Sequence, residues 1–240
     1  MVNPFRILWR SLVDVYEGLF PMVGMNLLWI LISIPVVFLA TLILMALGLP
    51  NVWAFSAALL FGVMAPNPAS VGIHNYANPL VKEDRVEFDL FWSGLRKLWR
   101  RSLALSAIGI AGICLLGVNI YFYVTNSAQV LHYFAILWIY GLIFWSIMLL
   151  FMNALLVEQD SKSIKLVVRN AFLLALDNLV PSLVIFIILT IVSILSIGVT
   201  LLVALVGGSF VAVVETRAVL AFLEKYQART ANQPTGKRGV

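Results

Sequence analysis

Long apolar runs alternate along the chain with short amphipathic stretches that carry nearly all of its charge. A membrane-spanning helix needs about 20 mostly apolar residues. Such segments are predicted near residues 21–47, 52–76, 102–124 and 131–156, with two more inside the apolar run 179–222. We place the turn of that run at Ser196-Ile197-Gly198, since the alternative turn at Gly207-Gly208 leaves a last segment too short to span. The pattern predicts an all-α membrane protein with six transmembrane helices.

The first amphipathic stretch, "NPFRILWRSLVDVYEGLF", has the spacing of a helix with one apolar and one charged face. Asn3 is placed to cap it, and Pro4 suits the first helical position. A helix of this kind is expected to lie in the membrane interface. Its apolar residues are Phe5, Leu8, Trp9, Leu12, Tyr16, Leu19 and Phe20, and Arg6, Arg10, Asp14 and Glu17 lie opposite.

The same spacing returns in "VEFDLFWSGLRKLWRRS" and, more weakly, in "SIKLVVRNAFLLALDN". Trp9 and Trp92 hold matching positions in the first two copies, and Pro21 and Pro181 follow the first and third copies at nearly the same offset. Recurrence of this kind indicates repeats, although any amphipathic helix shows the same spacing. We predict one domain, residues 1–227, built from three parallel units (1–80, 81–156 and 157–227), each an interfacial helix followed by a transmembrane hairpin, with residues 228–240 as a disordered cytoplasmic tail.

Composition excludes a water-soluble protein. Hydrophobic residues make up 62% of the 240, charged residues only 11%, and the mean hydropathy is +1.01, whereas a soluble domain is about a quarter charged. All 16 Lys and Arg residues fall on one side of the predicted topology. The positive-inside rule therefore places both termini in the cytoplasm of a multi-pass cell-membrane protein, with the net charge of +5 facing the anionic inner leaflet. No motif supports nucleic-acid binding.

The second predicted span contains a possible site, because Pro66, Asn67 and Pro68 interrupt it. Irregular backbone at membrane depth is tolerated only inside protein or along a cavity. One interpretation is a substrate-binding notch, and the alternative is a structural kink satisfied by neighbouring helices. The notch would be formed by Asn67, Ser70, His74 and Asn75.

Glu215 in "VAVVETRAVLAF" is the most informative ionisable residue, since such groups are costly within a membrane. If the last helix stays in the membrane as far as Phe222, Glu215 lies inside it, with Arg217 as its neighbour. If the helix leaves the bilayer near Glu215, both side chains simply reach the membrane surface. Three asparagines are expected to form hydrogen bonds between helices: Asn26, Asn119 and Asn153.

Enzymatic motifs are missing from the sequence. "GGSF" around Ser209 resembles a nucleophile loop, but small residues there more often allow close helix packing. The two histidines, His74 and His132, are predicted at opposite membrane faces, and Cys114 is the only cysteine. We therefore expect no enzymatic activity, no metal site and no cofactor.

The first 110 residues resemble the YesL-like family of bacterial membrane proteins, with "MNLLWILISIPVV", then "PAS", then "VEFDLFW". About 30 residues separate Val37 from Pro68, whereas the corresponding family elements lie close together. The family has no established molecular activity, and its members are often linked to carbohydrate uptake. The matching positions are Asn26, Leu27, Leu28, Trp29, Pro35, Val36, Val37, Pro68, Ala69, Ser70, Phe88 and Phe91.

The resemblance implies a non-enzymatic accessory or assembly component of an uptake system, with transporter subunits as partners. A small-solute transporter with its path along the second helix is the alternative, and a membrane hydrolase is the weakest. Contact with lipid or a partner is expected from the interfacial helices, through Trp9, Arg10, Trp92, Arg96, Lys97, Arg100 and Arg101.

Overall fold

In a computed structural model of the chain, residues 2–46, 48–51, 54–55, 58, 67–126, 129–198 and 203–231 are described. The described residues form helices and no strand. The α-helices are α1 (Pro4–Glu17), α2 (Leu19–Ala46), α3 (Pro68–Val81), α4 (Asp89–Thr125), α5 (Gln129–Glu158), α6 (Ile164–Asp177), α7 (Leu179–Gly198) and α8 (Gly208–Ala231). A π-helical turn, Val203–Gly207, leads into α8.

The start of α1 confirms the predicted cap. The side chain of Asn3 accepts hydrogen bonds from the backbone N–H groups of Phe5, at 3.0 Å, and Arg6, at 3.4 Å, with Pro4 at the first helical position. Such caps satisfy donors that have no partner within the helix. At the other end, the N–H of Gly18 bonds to the carbonyl of Asp14, and α2 begins at Leu19.

Among the described residues, four helical segments are long and apolar enough to cross a membrane: α2, α4, Val130–Glu158 within α5, and Leu205–Ala228 around α8. A fifth exists if α6 and the first part of α7, which meet at an angle of 100°, are counted as one bent span. The class of helical, membrane-spanning protein is thus confirmed, while six spans are not. Most of the predicted second span before Asn67 lies outside the described residues. α7 is helical through Ser196, Ile197 and Gly198, where the turn is predicted, and residues 199–202 lie outside the described part of the chain.

The three amphipathic stretches do not join their spans in the same way. α1 and α6 end at Gly18 and Asn178, and Pro21 or Pro181 is the third residue of the following helix. The second stretch continues into its span as one helix of 37 residues, about 55 Å long. The expectation of a separate interfacial helix in the second unit is therefore wrong. The reason is local, since residues 100–106 contain no glycine, proline or asparagine that could end the helix.

α8 is the central helix. Within its apolar window 61% of the residues are buried, against 17% to 33% for the other spans. One apolar cluster joins α5 to α6 and α8, with Phe151 against Phe222 at its centre. A second cluster surrounds α3, whose Ile73 and Tyr76 pack with Trp29 of α2 and Phe91 of α4. These clusters hold the polar side chains of α3 against α8, deep within the protein.

Candidate functional site

A short buried helix carries most of the candidate residues. α3 begins at Pro68, and Asn67 precedes it with extended backbone and accepts a hydrogen bond from the Ser70 N–H at 2.8 Å. A new helix therefore starts at the proline cluster, where the sequence predicts an interruption of the second span. Pro66 and the residues just before it lie outside the described part of the chain. Asn67 acts as a helix cap.

The central feature of the site is a buried pair between α3 and α8. His74 Nε2 lies 2.8 Å from Glu215 Oε2. His74 is 2% exposed and Glu215 is 4% exposed. Their separation of 141 positions in sequence explains why no local motif revealed the pair. An ionisable side chain buried inside a membrane-spanning bundle is costly unless it has a partner and is hydrogen-bonded.

The hydrogen bonds determine how many protons the pair carries. His74 Nδ1 lies 2.8 Å from the carbonyl oxygen of Ser70. A carbonyl only accepts, so Nδ1 must carry a hydrogen. The contact between Nε2 and Oε2 then needs one further proton, either on the imidazole, giving an ion pair, or on the carboxyl group, giving a neutral pair. The arrangement is a site for one shared proton.

Two neighbouring groups complete the surroundings of the pair. Ser70 Oγ accepts a hydrogen bond of 2.9 Å from Trp29 Nε1, so α2 fixes the residue whose carbonyl orients His74. Glu215 Oε1 is buried and has no hydrogen-bond partner among the described residues. A buried carboxylate oxygen without a partner is unfavourable. It is the atom of the pair that remains available to a ligand or a water molecule.

Glu215 and Arg217 do not act together. Arg217 donates through Nε, at 3.1 Å, and through a terminal nitrogen to Asp14 Oδ2 on α1. Glu215 faces the protein interior, and α8 continues beyond it to Ala231. The alternative in which Glu215 and Arg217 both reach the membrane surface therefore does not describe the structure. Arg217 instead ties the first amphipathic helix to the helix that carries Glu215.

Asn75, although adjacent to His74, belongs to a helix contact. Its Nδ2 donates to the Leu90 carbonyl at 2.8 Å and to Ser93 Oγ at 3.2 Å. A Cβ placed on Gly94 would lie 2.4 Å from the Asn75 Cβ, so these two residues set the close approach of α3 and α4. Of the four predicted notch residues, Asn67, Ser70 and His74 form one connected group, and Asn75 packs elsewhere.

The glycine-rich start of α8 is also a packing element. Asn26 Oδ1 accepts hydrogen bonds from the backbone N–H groups of Gly208, at 2.8 Å, and Ser209, at 3.2 Å. Ser209 is fully buried, and its hydroxyl donates to the Met22 carbonyl at 2.9 Å. A Cβ on Gly208 would lie 2.9 Å from Asn26 Oδ1. The loop that resembled a nucleophile site thus joins α2 to α8 closely.

The other predicted interhelical asparagines give a divided outcome. Asn153 Oδ1 accepts a hydrogen bond of 3.1 Å from Ser102 Oγ, which joins α5 to α4. Asn119 is half-buried and donates to the Leu115 carbonyl of its own helix. The interhelical role is confirmed for Asn26 and Asn153 and is wrong for Asn119.

Predicted membrane-facing residues lie on the outside of the bundle. Trp9 is 69% exposed, and Arg10 is exposed beside it on α1. On α4, Trp92 is half-buried. An exposed basic surface at the start of α4 consists of Arg96, Lys97, Arg100 and Arg101. Within the described residues no group of three or more His, Cys, Asp or Glu side chains is arranged to hold a metal ion.

Comparison with protein-family models, with curated proteins and with solved structures finds no match to this chain. The resemblance to the YesL-like family stays a prediction. Function must therefore be inferred from the site itself.

Sequence reasoning did not connect His74 with Glu215, and it named Trp29 only as part of a family motif. Asp14 appeared only on the charged face of α1, with no partner assigned.

Proposed function

We propose that this protein is a proton-linked transporter of a small solute, and that His74 and Glu215 bind and release the coupling proton. The observation that carries the proposal is the 2.8 Å contact between these two buried side chains, which places His74 of α3 against Glu215 inside a candidate span. Intramembrane His and carboxylate groups are rare and characteristic of proton relays. Well-packed apolar side chains would be as stable or more stable at such a position, so a purely structural role explains the pair poorly.

The chemistry of the cycle follows from the shared proton. When the pair holds the proton, the site is either an ion pair or neutral, with no net charge. Loss of the proton leaves neutral His74 beside the Glu215 carboxylate, a buried negative charge that is costly without a counter-charge. The cost falls if water or a hydrogen-bonding solute reaches Oε1, so proton release and access to the site are linked. This linkage is what coupled transport requires.

We further propose a six-span topology of three parallel units in the cell membrane, with both termini in the cytoplasm. The distribution of Lys and Arg supports the orientation. The third-residue prolines after Gly18 and Asn178 support equivalence of the first and third units. In this orientation the exposed basic surface of α4 lies at the anionic inner leaflet.

The test is proton movement in proteoliposomes that contain a pH-sensitive dye. Neutral sugars are the first solutes to add, followed by amino acids and organic acids. We expect one solute class to change the internal pH with the wild-type protein and not with Glu215→Gln, which keeps a hydrogen-bonding group of the same shape. His132→Gln, on the exposed histidine, is the matched control and should behave as wild type. Equal solute-driven pH changes in wild type and Glu215→Gln, or none with any class, would exclude the proposal.

A second candidate is an accessory component of an uptake system, favoured by the exposed basic surface of α4. Four cationic side chains within six residues are exposed there, and Arg100 lies 5.3 Å from the ring of exposed Trp99. Affinity purification in mild detergent, with a photo-cross-linker at position 97, tests this role. A transporter subunit captured in fixed ratio would support it, and capture of lipid alone would exclude it.

A further inference from the structure

A cleft of about 680 Å³ lies between α1, the turn after α3 and the second half of α8. Neither His74 nor Glu215 lines it, and four basic residues do. Its walls include charged side chains of both signs. Arg6, Arg10, Lys82 and Arg217 contribute cations, and Glu83 and Glu224 contribute carboxylates.

Only some of these charges are already used. Lys82 forms an ion pair with Glu158 at 2.7 Å, and Arg217 pairs with Asp14. Arg6 and Arg10, one helical turn apart on α1, have no ion-pair partner among the described residues. Guanidinium groups bind phosphate oxygens through two parallel hydrogen bonds. These two arginines therefore form an open site for a phosphate group.

The same cleft also contains two carboxylates without an ion-pair partner in the described part of the chain. These are the exposed Glu83 and Glu224, although Arg6 and Arg10 line the same space. Glu83 is held in the left-handed region, with φ of 61°, by a turn in which its N–H bonds to the Leu80 carbonyl. Opposite charges on one cleft that do not pair with each other leave room for a ligand that carries both signs.

The position of α1 indicates where that ligand comes from. Its other side exposes the large aromatic residues Phe5, Trp9 and Tyr16, which are 67%, 69% and 79% exposed. Aromatic side chains of this kind are enriched at the level of lipid headgroups. The cleft behind them is therefore at the same level, with Ile7, Leu220 and Ala221 as apolar wall.

We infer that the cleft binds the headgroup of a phosphatidylethanolamine-type lipid, with its phosphate on Arg6 and Arg10 and its ammonium on Glu83 and Glu224. A primary ammonium donates three hydrogen bonds and suits two carboxylates. A choline group has no N–H to donate to the carboxylates, and the phosphatidylglycerol headgroup has no cation. Neither lipid can therefore bind the arginines and the carboxylates in the same way. The inference does not depend on proton-linked transport.

Native mass spectrometry of the detergent-purified protein tests the inference by counting retained lipid. Phosphatidylethanolamine, phosphatidylcholine and phosphatidylglycerol are supplied separately. We expect preferential retention of phosphatidylethanolamine, and about tenfold weaker retention in Arg6→Ala/Arg10→Ala. Glu83→Gln/Glu224→Gln should remove the preference over phosphatidylglycerol. Lys165→Ala/Arg169→Ala is the matched control, because it removes two exposed cations at the same spacing on α6.

Competition separates the possible sources of the phosphate. Soluble glycerophosphoethanolamine should displace the lipid only weakly, since it lacks acyl chains, and inorganic phosphate should displace it less. Retention of all three lipids to the same extent, or equal losses in the α1 and α6 double variants, would overturn the inference in favour of non-specific charge attraction. Displacement by inorganic phosphate at low concentration would overturn it in favour of a soluble anion site.

Discussion

His74 Nε2 and Glu215 Oε2 meet at 2.8 Å, although the two residues are 141 positions apart in the chain. The contact joins α3, the helix that begins at the proline cluster, to α8, the most buried span. Because Nδ1 of the same ring is already committed to the Ser70 carbonyl, the contact holds one proton between imidazole and carboxyl. This contact between α3 and α8 is the basis of the proposed transport function, and it contributes to the stability of the fold.

Replacing His74 by alanine should destabilise the fold. The change leaves Glu215 buried with neither oxygen hydrogen-bonded, and loss of one member of a buried pair costs about 3–5 kcal/mol. Thermal unfolding in mild detergent should show a clearly lower midpoint. His132→Ala removes an exposed histidine whose Nε2 lies 2.8 Å from the Asn126 carbonyl oxygen, and should change the midpoint little. Equal shifts in the two variants would show that the pair contributes nothing to stability.

Glu215→Gln should keep most of the stability that His74→Ala loses. The glutamine amide can donate to His74 Nε2, so the buried hydrogen bond persists without an ionisable group. Unfolding midpoints measured at a series of pH values should differ from wild type in their pH dependence and little in their maximum. A Glu215→Gln protein as unstable as His74→Ala would indicate that the carboxylate itself holds the fold together.

Asn26→Ala should weaken the junction of α2 with α8. It leaves the N–H groups of Gly208 and Ser209 buried without their acceptor, at a cost of about 1–3 kcal/mol. Asn119→Ala is the matched control, because the half-buried Asn119 donates to the Leu115 carbonyl of its own helix. The difference in unfolding midpoint between the two variants measures the interhelical contribution. Similar midpoints would contradict the role of Asn26.

Two glycines of α4 should respond in opposite ways to alanine. A Cβ on Gly94 would lie 2.4 Å from the Asn75 Cβ, whereas a Cβ on Gly117 would have no neighbour within 4 Å among the described residues. Gly94→Ala should push α3 away from α4 and lower the unfolding midpoint. Gly117→Ala should raise it slightly, since alanine is favoured over glycine in a helix by about 0.5–1 kcal/mol. Tolerance of Gly94→Ala would contradict the close contact of the two helices.

The salt bridge between Asp14 and Arg217 should be measurable as a coupling. Both side chains are mostly buried, at 17% and 14% exposure, so the pair is screened less than a surface bridge. A double-mutant cycle with Asp14→Asn and Arg217→Gln should give a coupling of about 1 kcal/mol or more. The same cycle on the more exposed pair of Lys82 and Glu158 gives the coupling energy for comparison. A coupling no larger than that of Lys82–Glu158 would show that Arg217 does not anchor α1.

Hydrophobic periodicity predicted the local elements well and their association poorly. The cap at Asn3 and the course of α1 and α6 follow from residues that are neighbours in sequence. The continuous α4 was missed because its charged start and apolar end were assigned to different environments. The absence of glycine, proline and asparagine from residues 100–106 was the local sign that the helix continues.

The sequence predicted individual residues of the candidate site but not the contact between them. Proline chemistry pointed to Asn67, Ser70 and His74, and the cost of burying charge pointed to Glu215. Their meeting depends on the packing of α3 against α8, which the sequence pattern does not encode. Arg217 was the natural partner of Glu215 by proximity, yet residues two apart on a helix face different directions. Arg217 consequently reaches Asp14, and Glu215 reaches His74.

The most direct test of the shared proton is nitrogen NMR of the protein labelled with ¹⁵N in histidine. The chain has only two histidines, so the His132→Gln variant leaves His74 as the single source of signal. We predict a protonated Nδ1 at every pH studied, and an Nε2 signal typical of a proton shared with a carboxyl group. Glu215→Gln should convert Nε2 to the unprotonated form. A His74 spectrum of a free imidazole exchanging between tautomers, unchanged by Glu215→Gln, would contradict the paired site.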